Sequence, residues 1–156
     1  MPDKIFPQVT TLRKLRFAIL KATEQLSTEQ LNRIPDGFNN NVIWNLAHLI
    51  ASQQNLCYGK AGQEPLVPES FVLSYKPGTK PEGLVSAEEI EQIKALLIST
   101  TDQLETDLNT SKFDNYTPWV NSYGLELNNI NDIINYIPLH ESMHFGYVMA
   151  MKRLLK

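Results

Sequence analysis

The 156-residue chain has little of what marks secreted, membrane-spanning or nucleic-acid-binding proteins. Its single cysteine, Cys57, cannot form an internal disulfide, and no apolar run approaches the roughly 20 residues that cross a bilayer. No basic segment followed by an apolar one marks a secretory signal. The net charge is -3 and the basic residues are scattered, so no basic stripe is available for DNA or RNA. These absences predict a cytoplasmic protein with neither a membrane nor a nucleic acid as partner.

The composition that remains is that of an ordinary globular protein, with 42% hydrophobic and 20% charged residues. The sequence contains no internal repeat and no low-complexity tract. Because a chain of this length can bury one sizeable core, we expect residues 1–156 to form one domain.

Apolar residues recur at three- and four-residue spacing in four blocks, which predicts an all-α fold. Capping boxes at Ser27 and Ser86 mark the starts of a short helical turn and of the third long helix. Pro138 predicts that the last helix kinks or restarts there. The predicted segments are Thr11–Gln25, a turn at Thr28–Arg33, Val42–Leu56, Ser86–Asn109 and Ile133–Leu155.

Two connections are longer than simple turns. Residues 59–83 contain four prolines and four glycines, and this segment either folds over a functional site or forms a surface loop pinned by its aromatic residues. Phe71, Tyr75 and Lys76 are its candidate contacts with such a site. Residues 113–127 suit an irregular loop or a small hairpin.

Two of the three histidines lie four residues apart in the last predicted helix. That spacing places His140 and His144 on one helix face, about 5–6 Å apart at their Cβ atoms, close enough to bind one divalent metal ion. Both fall in the apolar sector of the helix, where an unsatisfied polar group costs about 1–3 kcal/mol. The alternative is that each is a core histidine hydrogen-bonded to a backbone carbonyl or to Tyr136 or Tyr147.

The third histidine, His48, would complete a three-nitrogen site if the second and fourth helices lie side by side. Periodicity puts it opposite the aliphatic stripe of its helix, so it would be exposed or would line a polar cleft. On the same helix Trp44, Ala51 and Tyr58 recur at seven-residue intervals and could pack against a second subunit.

Residues 140–144 also match the H-E-x-x-H pattern of zinc proteases. We discount that interpretation because only twelve residues follow His144 and none of them is His, Asp or Glu. Cys57 lies on the aliphatic side of its helix and is expected to be inert core rather than a nucleophile.

The segments Ile43–His48 and His140–Gly146, in this order and helical setting, resemble the DinB-like family of damage-inducible and bacillithiol-transferase-like metalloproteins. The resemblance covers essentially the whole chain. It implies an up-down-down-up four-helix bundle, with a long loop between helices two and three, that often pairs as a homodimer. It also implies that His48, His140 and His144 bind a divalent metal, zinc or nickel among others, in an open cleft. Tyr147, where the family often has Gln, and Pro138 depart from the pattern.

Three neutral ligands leave a coordination position open, which favours a catalytic site. The sequence therefore predicts a metal-dependent enzyme of the thiol-transferase type, acting on a small-molecule thiol and an electrophile, or a small-molecule hydrolase. Glu141 and Tyr147 are candidates for proton transfer. The alternative is a non-catalytic metal-binding stress-response protein that acts as a dimer.

Overall fold

A computed structural model describes residues 2–156, which are predominantly helical with one two-stranded sheet. The helices are α1 (Pro7–Thr23), α2 (Thr28–Asn32), α3 (Val42–Gln53), α4 (Glu69–Tyr75), α5 (Ala87–Leu108) and α6 (Ile130–Leu154). A π-helical turn (Gln54–Tyr58) and a 3₁₀ turn (Gly59–Ala61) extend α3. The strands are β1 (Trp119–Val120) and β2 (Glu126–Leu127). The expected all-α character is confirmed.

Side-chain caps determine where several helices begin. Ser27 and Ser86 each form the predicted capping box, in which the side-chain oxygens of Gln30 and Glu89 accept from the backbone N–H of the capping serine. Asn41 accepts from the backbone N–H of Trp44 at the start of α3. The first helix starts four residues earlier than predicted because Pro7 occupies its first turn, where a missing N–H costs nothing.

Among the four long helices, α1 and α3 each lie next to both α5 and α6. Helix α3 also contacts α4. Their apolar faces form two clusters of buried side chains. One cluster is centred on Ile19, Leu46, Leu97 and Val148, and the other on Leu12, Cys57, Leu104 and Ile137.

A layer of buried polar residues separates these two clusters along every long helix. It includes Arg16 on α1, Thr100 and Thr101 on α5, and Glu141 and His144 on α6. Gln53 and Gln54 occupy the corresponding position at the end of α3. The candidate site therefore lies at the same level as the buried charges, between two apolar regions.

The two long connections are more ordered than the sequence alone indicates. Residues 59–83 contain the seven-residue helix α4, none of whose residues is fully buried. Residues 113–127 contain the hairpin β1–β2, an antiparallel pair in which Trp119 lies opposite Leu127. Of the two expected alternatives, an irregular loop or a small hairpin, the second is therefore confirmed.

Pro138 lies inside α6, so the helix does not restart there. The alternative of a helix beginning at Pro138 is thus wrong, because Asn129 already caps an uninterrupted helix by accepting from the N–H of Asp132. None of the helices in residues 2–156 combines the length and hydropathy needed to cross a membrane.

Candidate metal centre

His48, His140 and His144 converge in the space between α3 and α6. One ring nitrogen from each histidine lies within 4.8 Å of those of the other two. The ring centroid of His48 lies 4.6 Å from that of His144 and 5.4 Å from that of His140. Among residues 2–156, no fourth His, Cys, Asp or Glu belongs to this group. The geometry thus brings together the three side chains that the sequence predicts as ligands.

His48 is oriented by the last residue of α4. Its Nδ1 lies 2.6 Å from the carbonyl oxygen of Tyr75, which can only accept, so Nδ1 carries the proton. The lone pair of Nε2 is then available to a metal, with the Ser52 hydroxyl oxygen 3.3 Å away. The indole of Trp44 stacks on the imidazole at 4.7 Å and an interplanar angle of 10°. His48 is 3% exposed, so the expectation of an exposed residue is wrong.

His144 is oriented by an asparagine on α3. Its Nδ1 lies 2.8 Å from Oδ1 of Asn45, whose Nδ2 donates to the carbonyl of Asn41 at 2.8 Å and to Oδ1 of Asn40. Because those two contacts require the amide nitrogen, the amide oxygen must face His144 and accept its Nδ1 proton. Nε2 of His144 is therefore also left with a free lone pair. No local pattern in the sequence marks Asn45, because its partner His144 lies 99 residues away in the chain.

His140 is the least constrained of the three. Neither of its ring nitrogens has a hydrogen-bond partner within residues 2–156, and its ring packs against Tyr136 and His144. Burial and the neighbouring His48 lower the pKa of His140 to about 4. Burial and the other two histidines lower the pKa of His144 to about 3, and burial also lowers that of His48. All three rings are neutral at physiological pH, which is the protonation state that ligates a metal.

The histidines line a cavity of about 780 Å³. Its aromatic walls are contributed by Phe38, Trp44, Trp119, Tyr123, Tyr136 and Tyr147. Val72 of α4 and the following Lys76 and Pro77 also line the cavity, so residues 59–83 do cover part of the site. Phe71 instead packs against the core and against Tyr75. Both expectations for this segment therefore hold: aromatic residues fix it, and it closes one side of the cavity.

Glu141 does not line this cavity. Its carboxylate is completely buried and accepts from Nε and Nη2 of Arg16, with Nε 3.1 Å from both carboxylate oxygens. The remaining donors of Arg16 reach the carbonyl oxygens of Leu97 and Leu49 and two threonine hydroxyls. The structure therefore places the Glu141 carboxylate in the Arg16 network and not among the residues that line the cavity, because adjacent helical residues point about 100° apart.

Tyr147 does line the cavity, next to the proposed ligands. Its ring centroid lies 6.2 Å from that of His144, and its side chain is 49% exposed. Neither Tyr147 nor Tyr136 hydrogen-bonds a histidine. The alternative of tyrosine-bonded core histidines is therefore not what the structure contains.

The seven-residue stripe on α3 is not a subunit contact surface. Trp44, Ala51 and Tyr58 are 5%, 1% and 0% exposed, buried by the helices of their own chain. Cys57 is completely buried, which raises the pKa of its thiol and agrees with the expected inert core residue.

The sequence profile of the DinB superfamily matches residues 11–148, a range that includes all three histidines. The chain belongs to the DinB superfamily. A comparison with curated proteins gives no significant match. DinB-like proteins are metalloproteins, and the group formed by His48, His140 and His144 could hold a metal ion. Two of these rings are fixed in the tautomer that presents Nε2, so the residues present fit a divalent cation.

Proposed function

We propose that this protein is a divalent-metal-dependent enzyme of the thiol-transferase type, with His48, His140 and His144 as ligands of zinc or nickel. One observation carries the proposal: three neutral imidazoles, with no fourth protein ligand in residues 2–156, line a cavity large enough for a small molecule. Structural zinc sites are closed by four protein ligands, whereas catalytic sites keep a position open.

A bound cation supplies Lewis acidity, which lowers the pKa of a thiol or of water near the histidines. The protein provides orientation and shielding. The Tyr75 carbonyl and the Asn45 amide hold two imidazoles in one tautomer, and the aromatic walls limit access of bulk water. Tyr147 is the residue that we propose for proton transfer, because its side chain lines the same cavity.

Transfer of the thiol sulfur to an electrophile such as 1-chloro-2,4-dinitrobenzene is a substitution that needs no oxidant. The thiol sulfur attacks the carbon that bears chlorine, a sulfur–carbon bond forms, and chloride leaves with the bonding electrons. The thiol proton passes to solvent or to a basic group. Hydrolysis of a small substrate would use the same cavity, with water in place of the thiol.

We also propose that the four long helices run up-down-down-up. Along the chain, α1 and α6 pass from the cluster of Leu12 to the cluster of Ile19, whereas α3 and α5 pass in the opposite direction, and this order supports that path. A homodimer is supported by apolar side chains exposed on α6 and on the hairpin, among them Leu139 at 67%, Val120 at 61% and Tyr123 at 65%. The same exposed side chains favour the second candidate, a non-catalytic metal-binding stress-response protein acting as a dimer.

The test begins with elemental analysis of untagged protein purified without chelator, beside a His140→Ala variant. We expect close to one divalent ion per chain in the wild type and a strong loss in the variant. Conjugation of 1-chloro-2,4-dinitrobenzene is then measured with several cellular thiols. The rate should exceed background only with metal, and Tyr147→Phe should lower kcat without lowering metal content.

Two outcomes would count against the enzyme. Wild-type protein that folds with only trace metal would overturn the metal-dependent function as a whole. Metal-replete protein that shows no rate with any thiol would favour the non-catalytic dimer instead.

A further inference from the structure

The cavity that the three histidines line contains cationic side chains and, among its described lining residues, no carboxylate. Lys60 and Lys76 line it, whereas none of its lining residues in the described part of the chain is Asp or Glu. The chain as a whole has a net charge of -3, so this distribution is opposite in sign to that of the protein. A cavity of one sign attracts ligands of the other.

Lys60 is held in position although its charge has no anionic partner. Its carbonyl oxygen accepts from the N–H of Thr117 at 2.7 Å, and its Nζ lies 5.1 Å from the ring centroid of Trp119. Within residues 2–156, no carboxylate lies within 4.0 Å of this ammonium group, and no hydrogen bond from it is formed. A partly buried cation without a partner is ready to bind an anion.

The indole beneath Lys60 is itself fixed. Nε1 of Trp119 donates to the hydroxyl of Tyr116 at 3.1 Å, and that hydroxyl donates to the carbonyl of Leu56 at 2.9 Å. The ring therefore provides a stable face for the ammonium group through a cation–π contact. Lys76 is more exposed and follows Tyr75, whose carbonyl orients His48, so the second cation lies close in sequence to a ligand contact.

We propose that the cavity selects an organic anion, with Lys60 as the specificity-determining residue that binds its charged group and the aromatic walls packing its apolar part. The position of the reacting group beside the histidines rests on the proposed function. Binding of the anion by Lys60 does not rest on that function, because the lysine lines the cavity with or without a bound metal. Two sources share this chemistry: the thiol or the electrophile carries the negative group.

The direct test is calorimetric binding of benzoate and of its neutral counterpart benzamide, to metal-loaded and to chelator-treated protein. Lys60→Gln should weaken benzoate binding about five- to tenfold in both forms and leave benzamide unchanged, as expected for the loss of one partly buried charge contact. Lys60→Arg should retain benzoate binding. Lys14→Gln, an exposed lysine of α1, is the control for the same change in net charge.

Several results would overturn the proposal. They are equal affinity of wild type for benzoate and benzamide, benzoate binding that depends on the metal but not on Lys60, and an equal loss in Lys14→Gln. Circular dichroism of each variant checks that it is folded. If Lys60→Gln unfolds, the wild-type preference for benzoate over benzamide and the behaviour of Lys60→Arg decide.

Steady-state kinetics then separate the two sources. Here 3-mercaptopropionate is compared with its methyl ester as thiol, and 4-chloro-3-nitrobenzoate with the corresponding amide as electrophile. A higher KM in Lys60→Gln for the anionic thiol alone assigns Lys60 to the thiol, and one for the anionic electrophile alone assigns it to the electrophile. Calorimetry that succeeds while no conjugation occurs would refute the transferase and leave the anion site standing.

Discussion

Asn45 links the first turn of α3 to a proposed metal ligand on α6. Its amide nitrogen is engaged by Asn40 and Asn41, so its oxygen has one orientation and fixes the tautomer of His144. Contacts of this kind raise the basicity of the ligand and limit its rotation. The histidines alone therefore do not define the site.

We predict that Asn45→Leu lowers zinc affinity by about 10- to 100-fold, the usual effect of losing an outer hydrogen bond to a metal ligand. Competition with a chromophoric chelator measures this affinity on protein shown to be folded by circular dichroism. Asn55→Leu is the matched control, because Asn55 lines the cavity without a hydrogen bond to any of the histidines. Equal affinity of wild type and Asn45→Leu would show that the amide does not support the ligand.

Burial lowers the pKa of all three imidazoles, and it does so most strongly where His140 and His144 also lie beside other histidines. Because the pKa of His140 is about 4 and that of His144 about 3, zinc binding at pH 6 should release almost no protons from these rings. At these two ligands, protons should begin to compete with zinc only as the pH approaches these values. Calorimetry in two buffers of different ionisation enthalpy counts the protons released. Because zinc-bound water can itself release one proton, release of more than one proton per zinc at pH 6 would mean that at least one ring is charged in the metal-free protein.

The ion pair of Arg16 and Glu141 ties α1 to α6 beside the proposed ligands. Removing one partner leaves a charge completely buried, and such single changes cost about 3–5 kcal/mol of unfolding free energy. We predict this loss for Arg16→Met and for Glu141→Leu, and a smaller loss for the double variant than for the sum of the two. Urea denaturation of chelator-treated protein measures each free energy.

The pair of Lys94 and Glu91 provides the surface comparison, since its glutamate is 72% exposed. Lys94→Met should cost no more than about 1 kcal/mol, in keeping with exposed pairs. If Arg16→Met proved no more destabilising than Lys94→Met, the buried pair would not connect these helices energetically.

Local patterns predicted the helices, the hairpin and the shared face of His140 and His144, because these depend on residues close in the sequence. For His48 they left two alternatives, an exposed residue or one that lines a polar cleft, and only the second is right, since all twelve residues of α3 are buried and His48 lines the cavity. Local patterns could not predict the ion pair of Glu141 either, because Arg16 lies 125 residues away and no local signal connects the two residues. Helix α4 was not predicted, because it lies in a segment rich in proline and glycine that shows little helical periodicity.

The polar layer between the two apolar clusters gives the molecule a single level at which charge and metal ligands meet. Buried polar groups satisfied only by specific partners favour one register of the helices over others. The Arg16 network fixes that register through hydrogen bonds to α3, α5 and α6. A metal bound to His48, His140 and His144 would add a second link at the same level, between α3 and α6.

A ligand that binds only the folded state stabilises it by about 2.7 kcal/mol at a concentration one hundred times its dissociation constant. We therefore predict that zinc raises the unfolding free energy and the Tm of the chelator-treated protein in a concentration-dependent way. The rise should be much smaller in His48→Ala, because that variant loses the only ligand on α3 and its remaining histidines lie on one helix, so the ion no longer joins two helices. Magnesium, which prefers oxygen ligands, should have no effect on the wild type. Equal stabilisation of wild type and His48→Ala by zinc would mean that the ion is held by α6 alone, and the three-histidine centre would then have to be abandoned.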